Sequence, residues 1–261
     1  MTDCPESAVQ RHSAWNTVCT ANSTMEDGKR PADEYRMEPF KNRREAGQRL
    51  VRRLEQYAGR EDLLVLALPR GGVPVAYEIA TSLRAPLDVL VVRKLGVPGH
   101  EELAMGAIAG GGIRVLHDAV IHAAGLPPAV VDQVTHDEER ELLRREEAYR
   151  GSRPALAVQD HVVILVDDGL ATGSTMRAAI AAIRQCRPAH IIVAVPVASP
   201  ETCEELRKEA DEVYCDMTPT VFFGVGQWYE DFSQTTDEEV RSLLEQAPQG
   251  VRHGHDASSS P

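Results

Sequence analysis

The chain is short of cysteine, aromatic rings and basic charge, and each shortage removes a class of protein. Five cysteines stand at positions 4, 19, 186, 203 and 215 of 261 residues, with no CxxC and no Cys/His pair at zinc-ligand spacing. Neither a zinc scaffold nor a disulfide framework is needed, and a reducing compartment fits best. Lys and Arg number 28 against 40 Asp and Glu, for a net charge of -12. That balance disfavours a duplex-binding surface built on phosphate neutralisation. No apolar run approaches the roughly 20 residues of a membrane-spanning helix, and residues 1–12 lack the basic and apolar regions of a signal peptide. The expectation is a cytoplasmic protein with neither a nucleic acid nor a membrane as partner. A small anion remains a candidate ligand, because amides and dipoles act on a phosphate locally whatever the net charge.

What is present is the composition of one large globular domain, 43% hydrophobic and 26% charged. Residues 1–38 mix Ser, Thr, Asn, Asp and Pro without sustained periodicity, and 247–261, with His253 and His255, are equally loose. Both are expected to be disordered, leaving a domain over 39–246. Within it, Ala46, Leu50, Leu54 and Tyr57 share one helical face. Apolar runs at 63–68, 87–92, 162–166 and 191–195 read as buried strands, and 74–83, 172–186 and 200–210 as helices, with a short run at 212–215. The runs at 103–109 and 113–116, split by Gly110, Gly111 and Gly112, suggest a hairpin. The stretch 127–150 reads as a solvated helix with Glu141 to Arg145 and Glu146 to Arg150 at favourable spacing. Near-continuous apolar strands alternating with helices indicate an α/β fold: a mainly parallel sheet flanked by helices, with a helical insertion and a small C-terminal cap.

The chemistry concentrates where the strand at 162–166 empties into Asp167 and Asp168, then Gly169, Leu170, Ala171, Thr172, Gly173, Ser174 and Thr175. In open parallel sheets the ligand crevice lies outside the carboxyl ends of the strands, which is where the two acids fall. Unpaired amides of Thr172, Gly173, Ser174 and Thr175 at a helix N-terminus make a phosphate cradle. Carboxylates just before the cradle sit about one sugar away and suit vicinal hydroxyls. A ligand-free strand-to-helix turn with a hydroxyl cap would explain Thr172 and Gly173 alone. It does not explain two adjacent acids at the end of a buried strand, which cost desolvation without a packing gain. Two competing motifs are missing: no GxxxxGK[ST] and no GxGxxG occurs, so nucleotide hydrolysis by a P-loop and hydride transfer on a Rossmann site lose ground.

Residues 163–175 resemble the 5-phosphoribosyl pyrophosphate (PRPP) signature of type I phosphoribosyltransferases. The likeness extends to Phe40 with Arg43, Ala46 and Gly47, to Leu68 through Arg70, Gly71, Gly72 and Pro74, to Arg93, Lys94 and Gly96, and to Glu102 through Gly106 and Ile108. The chain is similar over about 40–244 to bacterial phosphoribosyltransferase-like proteins of unassigned substrate. The resemblance implies a glycosyltransferase of nucleotide metabolism. Ala171, Thr172, Gly173, Ser174 and Thr175 would hold the 5'-phosphate, and Arg70, Gly71, Gly72, Arg93 and Lys94 the pyrophosphate. Family members commonly carry a strained or cis peptide at the Arg70 position. Asp167, Asp168, Lys94 and Arg70 would form the catalytic set, with Mg2+ held at Asp167 and Asp168 directly or through ribose and water.

The resemblance also implies partners: PRPP with a small nitrogenous acceptor, or a nucleoside monophosphate, and it admits a homodimer. Where 6-oxopurine enzymes place an acid before the loop threonine, this chain has Ala171, which removes a proton relay from that position. Phe222, Phe223, Trp228 and Tyr229 lie where a base-covering hood would be, and Trp228 and Tyr229 are the expected stacking rings, against the alternative of a packed cluster. Beyond a phosphatase or phosphorylase using the same sugar-phosphate cradle, two readings stay open. One is transfer of 5-phosphoribosyl to a nitrogen acceptor with release of pyrophosphate; the other is a non-catalytic module that senses PRPP or a nucleotide.

Overall fold

A computed structural model describes residues 38–249 except 152, 154 and 156; the rest of the expected leader and tail lies outside the described residues. In chain order the elements are α1 (Arg43–Leu54) with a 3-10 turn (Glu55–Tyr57), β1 (Leu63–Ala67), α2 (Gly72–Leu83), β2 (Leu87–Val89), β3 (Val92–Val97), β4 (His100–Ala109) and β5 (Ile113–Leu116). There follow α3 (Asp118–Ala123), α4 (Pro128–Arg150), β6 (Val162–Val166), α5 (Ser174–Gln185), β7 (His190–Val197), α6 (Pro200–Leu206), β8 (Glu212–Met217), a 3-10 turn (Val225–Trp228) and α7 (Asp237–Gln246). Among the described residues no helix is long and apolar enough to cross a membrane.

Five strands form one parallel sheet in the order β2-β1-β6-β7-β8. The order reverses between β1 and β6, so the crevice that such a reversal opens lies between the loops that follow these two strands. All residues of β1 and β6 are buried, as expected for central strands covered on both faces. One core packs α1, α2, α4 and α7 against one face; the other packs α5 and α6 on the opposite face. Asn42 caps α1 by accepting from the Glu45 amide, and Ala46, Leu50 and Leu54 bury the expected stripe.

Three expectations change. The strand expected at 87–92 is two strands: β2 stays in the parallel sheet, while β3 pairs antiparallel with β4 in a second sheet, β3-β4-β5. Leu90 and Val91, at the crossing, are buried, so hydrophobicity runs unbroken through a change of sheet. The hairpin expected across Gly110, Gly111 and Gly112 is β4 and β5. Helix α4 is not simply solvated. Val131, Thr135, Leu142 and Tyr149 are buried, and Arg150 binds both oxygens of the buried Asp88 at 2.9 Å and Glu146 at 2.7 Å. Its last turn thereby docks on the sheet with its charges paired. Finally, Cys203 of α6 and Cys215 of β8 form a disulfide, although their spacing of 12 residues matches no framework pattern.

Candidate active site

Strand β6 delivers Asp167 and Asp168 to the crevice. Asp167 Oδ1 accepts from the Asp168 amide at 2.8 Å. Asp168 Oδ2 accepts from Arg43 Nε at 2.8 Å, with both side chains largely buried, and the Tyr229 hydroxyl donates to the Asp168 carbonyl at 2.6 Å. Burial, and then the charge of Asp168, push the Asp167 carboxyl well above the usual carboxylate range. Burial also raises Asp168, against the pull of the Arg43 guanidinium. Two neighbouring acids thus share one cation, which leaves acceptor capacity directed at the crevice.

The loop after β1 closes on these acids. The Leu68 amide donates to the Val166 carbonyl at 2.8 Å, the Pro69–Arg70 peptide is cis, and α2 starts at Gly72. A Cβ on Gly71 would lie 2.0 Å from Asp168 Oδ2, and one on Gly72 would lie 2.6 Å from the Val166 carbonyl oxygen. Only glycine lets this backbone approach the acids so closely.

The loop after β6 turns through Gly173, at φ 69°, into α5, which has no side-chain cap. Its first-turn amides are therefore available as donors, beyond a 3.4 Å contact from the Ser174 amide to Thr172 Oγ1. Thr172 and Thr175 are exposed and Ser174 is half-buried. Thr202 of α6 supports the loop from behind, its hydroxyl donating to the Ala171 carbonyl at 3.1 Å. Asp167, Asp168, Arg70, Gly71 and Gly72 accordingly meet at the switch point, joined by the loop from Ala171 to Thr175.

The basic pair on β3 is split. Arg93 Nε contacts Glu138 of α4 at 2.6 Å, and its neighbour Lys94 leaves on the opposite face of the strand. Lys94 is half-buried and has no ion pair among the described residues. Arg70 makes a loose contact with Asp237 of α7 at 3.5 Å, with both groups partly exposed.

The expectation that Tyr229 stacks on a base is corrected. Its ring is 6% exposed and packs between Phe40 and Phe232, at centroid distances of 5.4 and 5.1 Å, so neither face is open. Trp228 is half-buried beside the same cluster, its carbonyl accepting from the Phe40 amide. The open ring of that aromatic group is Phe223, 90% exposed, close in sequence to the exposed Val221. Sequence reasoning assigned no role to Arg43, whose only signal was its place three residues after Phe40.

For a divalent cation, the donor set fits an ion that arrives with a phosphate ligand. Among the described residues no group of three His, Cys, Asp or Glu side chains forms a cage, and Mg2+ characteristically binds one or two carboxylates plus substrate phosphates and water.

A parallel sheet with this strand order, and loops of this kind at its switch point, is the fold of type I phosphoribosyltransferases. Residues 39–231 match the model of the phosphoribosyl transferase domain, and the chain belongs to that family. Proteins from two strains of Mycobacterium tuberculosis, provisionally named phosphoribosyl transferases, are 46% identical over 211 residues, covering 81% of this chain and 47% of their own length. The chain thus spans about half the length of these curated relatives. The solved structure of TT1426 from Thermus thermophilus is 42% identical with a TM-score of 0.73, covering 79% of this chain and 97% of that one.

Proposed function

We propose that the protein binds PRPP and transfers its 5-phosphoribosyl group to a small nitrogenous acceptor, releasing pyrophosphate. The observation that carries this reading is the meeting of Asp167 and Asp168 with the Gly71 corner on one side and the uncapped start of α5 on the other. The amides and hydroxyls from Thr172 to Thr175 suit a 5'-phosphate. Free carboxylate oxygens one sugar away suit the ribose hydroxyls. The Gly71 and Gly72 backbone, with Arg70 and with Lys94, which has no ion pair among the described residues, suits the diphosphate.

In the transfer, the bond from C1' to the pyrophosphate oxygen breaks with its electron pair leaving on the diphosphate, the acceptor nitrogen forms the new bond to C1', and the proton of that nitrogen is released to solvent. Positive charge develops on the ribose ring and negative charge on the leaving group. Asp167 and Asp168 stabilise the first, and Arg70 and Lys94 the second. Asp167 and Asp168 would hold the Mg2+ that arrives with PRPP, directly or through ribose and water, and the ion would supply charge neutralisation at the diphosphate. Phe223 offers an apolar face for a flat acceptor.

Calorimetry with PRPP and a nucleoside 5'-monophosphate in the presence of Mg2+, followed by pyrophosphate release with a panel of bases, tests the reading. Binding with release is the expected result. Binding without release under every acceptor would assign the sensing role instead, and no binding by folded protein would overturn both.

A further inference from the structure

Arg43 opens α1, at the start of the described domain, yet its guanidinium reaches the acid at the end of β6, 125 residues away. The contact is built rather than incidental. Nε donates to Asp168 Oδ2 at 2.8 Å, while Nη1 donates to the Ser233 carbonyl at 2.6 Å. The guanidinium lies 4.0 Å from the centroid of the Phe232 ring and 5.9 Å from that of Tyr229. The Asn42 cap fixes the backbone from which the side chain leaves. With side chains 11% and 14% exposed, the Arg43–Asp168 pair is among the least exposed ion pairs in the described structure.

Among the described residues the side-chain donor to Asp168 is Arg43, and it takes Oδ2. Oδ1 has no side-chain donor among the described residues, and the backbone of the same residue is tied by the Tyr229 hydroxyl. A carboxylate held by one oxygen and by its own carbonyl presents the other oxygen in one direction. If the pair only stabilised the fold, an apolar replacement of similar volume would serve as well or better, because buried ion pairs seldom repay their desolvation.

We propose that Arg43 is a positioning residue which, with Phe232 and Ser233 behind it, aims Asp168 at the hydroxyls of the ribose. The inference rests on the phosphoribosyl reading above and adds a residue that discriminates among sugars. It also implies that the first helix and the C-terminal segment jointly complete the ribose site, since neither alone holds the guanidinium.

The test uses the full chain and two small probes that share a 5-phosphate, D-ribose 5-phosphate and 2-deoxy-D-ribose 5-phosphate, titrated calorimetrically. The wild-type protein is expected to prefer ribose 5-phosphate about tenfold or more, the scale of hydrogen bonds to a charged acceptor. Arg43→Gln should lose most of that preference while keeping its affinity for the deoxy sugar. Arg43→Lys, which keeps the charge but not the fork that spans Asp168 and Ser233, should show an intermediate ratio. It also keeps the inference testable should Arg43→Gln fold poorly. Equal loss of both affinities, or an unchanged ratio in either folded variant, would overturn the inference and leave the phosphoribosyl reading standing. Failure of the wild-type protein to bind either sugar phosphate would overturn the inference, and the phosphoribosyl reading would fall with it only if PRPP and a nucleoside 5'-monophosphate did not bind either.

Discussion

The two ends of the five-strand sheet treat carboxylates in opposite ways. At the amino end, Glu212 of β8 accepts from the Tyr57 hydroxyl at 2.7 Å and from Tyr214 at 2.6 Å, with His190 Nε2 at 2.9 Å. Burial raises this carboxyl, but the bonds from Tyr214, Tyr57 and His190 outweigh it, and the group sits below its ordinary range. At the carboxyl end, Asp167 and Asp168 share Arg43 and both sit above theirs. One end satisfies its acid from the surrounding fold, whereas the other leaves acids short of donors. Under-satisfied carboxylates in a crevice lower the stability of the ligand-free chain and become useful only when a ligand supplies the missing partners.

The linkage to pH follows with opposite signs. Glu212, lowered in the folded state, contributes stability above its unfolded value that is lost as pH falls through the folded one. Asp167 and Asp168, raised in the folded state, cost stability as pH rises from the unfolded value through the folded one.

The strongest way to break the contrast is to replace both acids. Asp167→Asn with Asp168→Asn should reduce affinity for ribose-bearing ligands by about a hundredfold, while the melting temperature at neutral pH holds or rises. Scanning calorimetry beside ligand titration decides it. A clear fall in melting temperature with affinity intact would make the pair a structural cap like Glu212.

A smaller effect sharpens the division of labour inside the site. Arg70→Ala and Lys94→Ala should each weaken PRPP binding by on the order of 1.5 to 3 kcal/mol, about ten- to hundredfold, and leave a nucleoside 5'-monophosphate nearly unaffected. Parallel losses for the two ligands would remove these cations from the pyrophosphate position.

The smallest effect lies at the satisfied end. Tyr57→Phe should cost about 0.5 to 1.5 kcal/mol of stability near pH 7. By the sign above, that cost should shrink as pH falls through the carboxylate range, with ligand affinity unchanged throughout. Urea unfolding at two pH values measures it, and a cost that does not vary with pH would detach the effect from Glu212.

Much of the site is legible in the amino-acid sequence because its parts are local. The acids follow an apolar run, the hydroxyl-rich loop follows the acids, and a helix of regular period follows the loop. Each step depends on neighbours within a few residues. The Tyr229 expectation failed for the converse reason. A ring near the expected hood can face out or in, and the choice was made by Phe40, which approaches from the other end of the domain. Phe223, a few residues earlier in the chain, has no such partner among the described residues and is 90% exposed. Likewise nothing in the alternation of 87–92 marks the point where the chain leaves one sheet for another, since both sides of that point are buried.

Strand and helix periods, the acid pair and the loop that opens α5 were determined by the sequence alone, because side-chain period and helix-end chemistry act over one or two turns of chain. The tertiary structure decided which cation Asp168 received, which of Arg93 and Lys94 met Glu138, which aromatic ring stayed exposed, and that Cys203 would meet Cys215. These depend on which distant segments the packing of the sheet brings to the same edge, and charge, ring and thiol carry no record of that partner in their own neighbourhood of the chain.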